Sequence, residues 1–402
     1  MTTVHFTRTI VDRGGKGFVE LALAEVALPR AADLRDSQVL IAIEAAPINP
    51  SDIGPIFAPS YGGIGRFDGL QLSTDAAGRA VVALPIADKT FARMAGGKLV
   101  GRVERRGNEG AGRVVAAGKG AAAQALVGRL VACIGTRSTY GQHAVCEAAS
   151  CIAHEEGTSA EEAASSWVNP LTALGMIKTM RAEGHTGLVH TAAASQLGQM
   201  LVKICKADGI PLVNVVRRPA QVALLRAAGA EHVVDTSAAG YQKDLVAAMA
   251  ASGATMCFDA LGGGTTGFEI IKAMESAAQA RGGKANNYGS STFKKLYVYG
   301  GLNAGEPMVL KPHAGMGGFS WAVAGFILDE GTAGITEDDK RRVAREIKTT
   351  FATTYSRRIT LEQMLQPDVM AEYQKQQSNN KALVMPHAGG GGGGGGGASA
   401  KL

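Results

Sequence analysis

The sequence predicts an α/β protein in which a β-rich domain accompanies a doubly wound parallel sheet. Three observations carry this. The first third of the 402 residues reads as short strands separated by Gly and Pro. From about Ser159 to Leu302, strand and helix patterns alternate, as they do when helices cover both faces of a parallel sheet. The stretch from about Phe319 to Pro386 is mostly helical, with one further strand at KALVM.

Taken in order, VHFTRTIV, FVELALAEVAL and SQVLIAIEAAPI have strand character. KLVGRVERRGNEGAGRVVAAG reads as strands joined by tight glycine turns, and LVGRLVACIG and STYGQHAVCEAASCIA continue the pattern. SAEEAASSWVNPLTALGMIKTMRAEG then has helical spacing and opens on a serine followed by acids, an N-terminal cap pattern. Beyond it, GLVHTA, IPLVNVV, EHVVDT, ATMCFDAL and KKLYVYGG read as strands. Between them lie the helices SQLGQMLVKICKADG, PAQVALLRAAG, YQKDLVAAMAASG and TTGFEIIKAMESAAQ. ARGGKANNYGSSTFKK, which covers residues 281–295 and the preceding Ala280, reads as a surface insertion, and a longer insertion of unassigned role covers 67–100. Nine consecutive glycines, Gly389 to Gly397, form a tether that cannot pack.

Composition excludes several classes. Hydrophobic residues make up 46% and charged residues 19%, enough to bury a core and too few charges for a disordered chain. The net charge of +6 is not gathered into basic runs with aromatics, so a nucleic-acid role is not indicated. Five cysteines, an odd number without a Cys-x-x-Cys pair, argue against a disulfide framework or a four-cysteine zinc lobe. Eight histidines are scattered without His-x-x-x-His spacing. No apolar run reaches bilayer length, and MTTVHFTRTIVDRGG alternates like a strand rather than a signal peptide.

The first strand of the alternating region leads into TAAASQLGQ. A dinucleotide fingerprint would place glycines where Ala193, Ser195 and Gly198 stand. Small residues at Ala193, Ala194 and Ser195 still let a backbone approach a pyrophosphate, with Gln196 and Leu197 opening a helix whose N-terminus favours anions. The next strand ends in Arg217 and Arg218, where an acid would hold a ribose 2′-hydroxyl. Arginine suits a 2′-phosphate, which makes NADPH the preferred cofactor. A merely solvated arginine pair is the alternative.

Four segments in register, AAPINPSD, GNEGAGRVVAAG, WVNPLTALGMI and NVVRRPAQVALLRAAGAEHVVD, resemble the medium-chain dehydrogenase/reductase superfamily. Within it they are similar to the zinc-free quinone oxidoreductase and enoyl-thioester reductase branch. The resemblance implies a GroES-like domain over 1–160, completed by 319–388, and an inserted Rossmann NADP-binding domain over 161–318, followed by the tether and tail over 389–402. It also implies an active site between the domains, and a homodimer. Zinc-dependent relatives carry a metal-binding histidine where Asn108 stands, and an asparagine amide is a poor zinc ligand, so no metal is expected. The turn then reads as scaffold, with Glu109 holding backbone amides or an arginine.

Without zinc, the charge that moves onto a conjugated carbonyl oxygen during hydride addition needs hydrogen-bond donors. The resemblance places Asn49 near the nicotinamide and Tyr61 where enoyl-thioester reductases keep a tyrosine; Tyr140 is a second candidate. A tyrosine packing its ring is the alternative for both. The resemblance further implies cofactor contacts at Asn169 and Thr172, at Tyr241 beside the 2′-phosphate, and in the loops Ala260–Leu261–Gly262 and Tyr299–Gly300–Gly301. The expected activity is NADPH-dependent hydride transfer to an α,β-unsaturated carbonyl or quinone. A CoA substrate would want a basic groove, and Arg102, Arg105 and Arg106 are candidates for one. A non-catalytic NADPH-binding protein and a zinc alcohol dehydrogenase are the competing readings. Finally, Ala400–Lys401–Leu402 fits the small–basic–leucine class of peroxisomal signals, which predicts an import receptor as partner and a peroxisome or glycosome as location.

Overall fold

A computed structural model describes residues 1–11, 16–57, 69–86, 88, 91, 100–135, 138–282, 285–303, 305–323, 334–375 and 380–388. Its β-rich part holds a five-stranded and a seven-stranded sheet. In the first, Thr2–Val11 and Gly17–Val26 pair antiparallel, with Thr2 opposite Val26 and Val11 opposite Gly17. Ala80–Pro85 adds to Gly17–Val26, and Gln71–Thr74 adds to Ala80–Pro85. The segment read as a long insertion therefore supplies a hairpin that widens the N-terminal sheet.

The second sheet runs Cys151–Ala153, Leu130–Ile134, Glu109–Ala117, Gln38–Pro47, Ala382–Val384, Arg357–Ile359, and His143–Glu147 also pairs with Gln38–Pro47. Its strands pack closely enough to dictate residue size. A Cβ on Gly112 would lie 1.8 Å from the Ala42 carbonyl oxygen, so only glycine fits there. The late strand at Ala382–Val384 places Leu383 opposite Pro47, which returns the chain to the sheet of the first domain.

The second domain is a parallel six-stranded sheet. Its order is His232–Asp235, Leu212–Val216, Leu188–His190, Met256–Asp259, Lys294–Val298, Phe319–Val323. Counted along the chain this is 3-2-1-4-5-6, with the order reversing between Leu188–His190 and Met256–Asp259. Every residue of Leu212–Val216 and of Met256–Asp259 is buried, as expected for strands covered on both faces. Helices Gln196–Asp208, Pro219–Ala227, Tyr241–Ser252 and Thr266–Ala280 connect the strands. One apolar cluster spans both domains, joining Ala45, Ala111 and Leu383 to Trp167, Leu171, Leu201 and Phe258.

Three details differ from the sequence reading. The run from Ser159 to Gly184 is two helices, Ala160–Ala163 and Val168–Ala182. Ser159 caps the first by accepting from the Glu162 amide at 3.2 Å. Pro170 sits in the first turn of the second, where its missing N–H costs nothing. The parallel sheet also continues past 318, because Phe319–Val323 pairs in parallel with Lys294–Val298.

The third difference concerns the segment read as a surface insertion. It is anchored by a buried carboxylate rather than solvated throughout. Glu275 accepts from the Ser290 amide at 2.6 Å and the Ser290 hydroxyl at 2.8 Å, and it pairs with the buried Lys294 ammonium. Among the described residues, no helix is long and apolar enough to cross a membrane.

Candidate functional site

The two domains meet at Glu109, the first residue of the strand Glu109–Ala117, which is fully buried. One carboxylate oxygen accepts the Asn49 side-chain amide at 2.8 Å. The other accepts the backbone amides of Trp167 and Val168, each at 2.9 Å. These are among the unpaired N–H groups that open the helix Val168–Ala182, so a strand residue of one domain caps the helix entering the other. Burial pushes the Glu109 pKa up, and the positive charge of Lys381 and these hydrogen bonds oppose the rise.

Lys381 immediately precedes the returning strand. The Ile48 amide donates to the Ala382 carbonyl at 3.0 Å, which sets Lys381 across from Asn49. Its ammonium donates to the Ser165 hydroxyl at 3.0 Å, and that hydroxyl lies 2.8 Å from the Tyr355 hydroxyl. Burial holds Lys381 below the ordinary lysine range, while Glu109 and Asp52 pull it back up.

Asp52 completes the scaffold. It accepts the backbone amides of Asn49 and Asn108, both at 2.9 Å. Burial pushes its pKa up to about 6 against those hydrogen bonds. Asn108 therefore contributes its backbone to the turn, and its side-chain amide reaches only the Ser51 hydroxyl at 3.4 Å. No group of three or more His, Cys, Asp or Glu among the described residues is arranged to hold a metal ion.

The candidate catalytic residues fall unevenly. Asn49 is fully buried at the hinge, with one amide proton given to Glu109 and its carbonyl oxygen unpartnered. Tyr140 is also fully buried, inside the first domain's core, and its hydroxyl donates to the Pro47 carbonyl at 3.1 Å. That geometry gives Tyr140 a packing role. Tyr61 lies outside the described residues, as does the tail with Ala400, Lys401 and Leu402.

On the second domain, the expected cofactor residues gather at the carboxyl ends of the strands. Ala192 has φ of 48° and is the only non-glycine with positive φ among the described residues. It begins the turn Ala193–Ala194–Ser195, and Ser195 caps the next helix by accepting from the Gly198 amide at 3.2 Å. A Cβ on Gly198 would sit 2.1 Å from the Ala193 carbonyl oxygen, so the glycine lets helix and turn close on each other. Leu197 packs in the core, and the Gln196 amide donates to the Thr354 hydroxyl at 2.9 Å.

Arg217 and Arg218 follow the neighbouring strand, are exposed, and form no ion pair among the described residues. This strand-to-helix turn, tight enough to require Gly198 and flanked by two free guanidinium groups, fits the phosphorylated end of a dinucleotide.

The loops on the other side of the switch point are built by a residue the sequence reading passed over. The Asp259 carboxylate accepts the Thr191 hydroxyl at 2.6 Å, the Leu261 amide at 3.0 Å and the Gly262 amide at 3.1 Å. Thr191 in turn accepts the Ala260 amide at 2.8 Å. An acid ending the apolar strand MCFD was the available signal. A Cβ on Gly262 would meet the Gly300 carbonyl at 2.3 Å, so the Ala260–Gly262 and Tyr299–Gly301 loops are in contact.

The Tyr299 hydroxyl and His190 Nε2 share a hydrogen bond at 2.7 Å, and the two rings stack. Burial holds His190 neutral, with its pKa lowered to about 3. The Thr172 hydroxyl donates back to the Val168 carbonyl, and Asn169 is half-buried beside it. Tyr241 departs from expectation: its hydroxyl donates to Glu269, which with burial pushes its pKa up to about 12. Its hydroxyl is thus committed to the helix Thr266–Ala280 rather than left for a 2′-phosphate.

A β-rich domain joined to a 3-2-1-4-5-6 parallel sheet, with a phosphate-type turn at the switch point, defines a two-domain dinucleotide-binding fold. No family model matches the chain. Solved structures do. A Mesorhizobium loti protein provisionally described as an NADPH:quinone reductase superposes with a TM-score of 0.65 at 22% identity, over 96% of this chain and 98% of that one. The quinone oxidoreductase of Escherichia coli, solved with NADPH, gives 0.62 at 13% identity, over 96% and 100%. CurK enoyl reductase gives 0.59 at 13% identity, over 95% and 99%. The chain shares the GroES-like plus Rossmann fold of these solved reductases.

The raised pKa of Asp52 makes a test of the hinge. Its neutral form is favoured in the folded chain, so wild-type stability relative to Asp52→Asn is highest below the ordinary carboxyl value of 3.8. The relative stability falls as pH rises towards about 6 and is level above it. Denaturant melts of both proteins across this range check the slope; a flat difference would show that Asp52 titrates normally.

Proposed function

We propose that the chain is an NADPH-dependent, zinc-independent oxidoreductase that reduces an α,β-unsaturated carbonyl or a quinone. The observation that carries this reading is the pair Arg217 and Arg218, exposed and unpaired beside the turn that Gly198 holds tight. Bound NADPH supplies the hydride. The turn Ala193–Leu197 receives the pyrophosphate with backbone amides and the helix N-terminus. Arg217 and Arg218 hold the 2′-phosphate through charge-assisted bonds. The Asp259-built loop and the Tyr299–Gly301 loop flank the ribose and nicotinamide. Asn49, fixed by Glu109 and Asp52, presents an unsatisfied amide oxygen at the hinge, and its second amide proton is the donor available there for a substrate oxygen.

A non-catalytic NADPH-binding protein is favoured by one observation: Asn49 and Tyr140, two of the three candidate catalytic side chains, are both fully buried. Tight NADPH binding without turnover on any enone, enoyl-CoA or quinone would establish that reading instead. For the catalytic reading, a hydrogen bond to a charged group contributes about 1.5–3 kcal/mol, so Arg217→Ala with Arg218→Ala should raise KM for NADPH about 10- to 100-fold. KM for NADH should change little. Equal losses with both cofactors would remove the arginines from 2′-phosphate recognition.

Two further readings belong with this function. The strand Phe319–Val323 ends the parallel sheet with Trp321 49% and Val323 71% exposed, which supports a homodimer joined at this edge. Sedimentation of a monomer at micromolar concentration would dismiss it. The tail Ala400–Lys401–Leu402, carried on the glycine tether, supports uptake by a peroxisomal or glycosomal import receptor. A fluorescent fusion should lose punctate localisation when Lys401 and Leu402 are deleted; identical diffuse distributions with and without them would reject the signal.

A further inference from the structure

Three of the five cysteines meet in the core of the first domain, outside the hinge. Cys133 and Cys151 are direct cross-strand partners in the antiparallel pair Leu130–Ile134 and Cys151–Ala153, so their side chains share a face. Cys146, from His143–Glu147, lies between them. Its sulfur is 3.3 Å from the Ile134 carbonyl oxygen and 3.7 Å from that of Ser150, the residues that adjoin Cys133 and Cys151. The Cys151 sulfur in turn is 3.6 Å from the Glu147 carbonyl oxygen, so each of these two sulfurs reaches the backbone beside the other cysteine. The neighbouring thiols, Cys133 foremost, hold Cys146 below its ordinary value and so favour its thiolate. Cys205 and Cys257 are equally buried but stand in the other domain, away from any partner thiol.

The cluster is shallow. Cys146 and Cys151 retain 4% and 7% exposure, beneath the turn Ala148–Ser150, whose Ala149 is exposed. A molecule as small as hydrogen peroxide needs only a slight opening of this turn. The three sulfurs have no assigned work in cofactor or substrate binding. Cys146 and Cys151 flank the short turn Ala148–Ser150, each sulfur against the backbone beside the other cysteine, which is the proximity a disulfide needs.

We propose that Cys146 and Cys151 form a reversible disulfide when the protein meets hydrogen peroxide. The Cys146 thiolate attacks one peroxide oxygen, the O–O bond breaks, and the departing hydroxide takes up a proton to leave as water. The resulting sulfenic acid is attacked by the Cys151 sulfur. The S–S bond forms, the S–O bond breaks, and a second water leaves. Two thiols thus lose two electrons and two protons, and one peroxide becomes two waters. Cys133, the third thiol, is placed to reopen the bond by exchange.

The site lies directly behind the hinge. Cys133 is paired with Gly110, next to Glu109, and the Ala132 carbonyl accepts the Trp167 indole N–H at 3.2 Å. A bond formed here tightens the strand layer on which the interdomain anchor rests. The inference concerns thiol chemistry alone and stands whether or not the chain turns over NADPH.

The experiment treats the full-length folded protein with hydrogen peroxide, removes the oxidant, unfolds the protein and alkylates the remaining thiols. Intact mass should show three alkylated cysteines and a loss of two hydrogens. Digestion after Glu147 and, with trypsin, after Arg137 puts the three cysteines on separate peptides; those of Cys146 and Cys151 should be linked, and a dithiol should separate them. Cys205 and Cys257 should be alkylated throughout, which excludes oxidation through global unfolding. Alkylation of all five cysteines, or a bridge that omits Cys146 or Cys151, would overturn the proposal. Cys146→Ser should abolish the bridge while Cys205→Ser retains it; the wild-type peptide map decides the matter if either variant fails to fold.

Discussion

The buried Glu109 carboxylate is the polar joint between the two domains. A buried carboxylate loses several kcal/mol of hydration, and charge-assisted hydrogen bonds return about 1.5–3 kcal/mol each. Glu109 makes three of them, to Asn49, Trp167 and Val168, and has the Lys381 charge nearby. The acid is therefore tolerated only with all its partners in place. Those partners come from the segment after the third strand, the start of the interdomain helix and the last strand's approach. Losing any one leaves a buried charge short of compensation. The strictness of that requirement is what makes a single side chain an effective joint.

The second domain uses the same device at its switch point. Asp259 gathers one hydroxyl and two backbone amides, and so sets the loop that faces the turn at Ala192–Ser195. In both places an acid at the end of a buried strand organises irregular backbone, which otherwise carries polar groups that the core cannot satisfy. Arg217 and Arg218 are the counterpoint, charges that the fold leaves without an internal partner. At the cofactor side of the fold, the Asp259 charge is consumed by the backbone, while Arg217 and Arg218 stay at the rim.

The alternation of strands and helices was legible because each element carries its own period and its own stop, as with Ser195 capping a helix that Gly209 ends at φ of 67°. The scaffold role of Glu109 was legible too, as an acid in a glycine turn. The same local signals could not show that the Ser159–Gly184 run breaks, since the break depends on a carboxylate from another domain. Nor could they distinguish Tyr140 in the core from a tyrosine facing substrate, because a hydroxyl answered by the Pro47 carbonyl is a tertiary fact. The Tyr241 hydroxyl is likewise engaged by Glu269 on a different helix, which no local pattern shows. Lys294 and Ser290 looked like solvent-loving residues in a polar segment, and only the position of Glu275 explains their burial. Local pattern fixes elements; the partner of a polar side chain is set by topology.

The return of the chain at Ala382–Val384 has a consequence for the order in which the molecule is assembled. The strand Gln38–Pro47 waits for a neighbour that lies almost the whole described chain away, as does Glu109 for the charge of Lys381. The parallel sheet needs only contacts closed within its own stretch, from Leu188 to Val323. Loop closure over long separations is slow, and synthesis runs from the N-terminus. The domain that begins the protein is therefore the last to be completed. Until the final strand docks, the edge of its sheet and the Glu109 carboxylate stand open to water and to other chains.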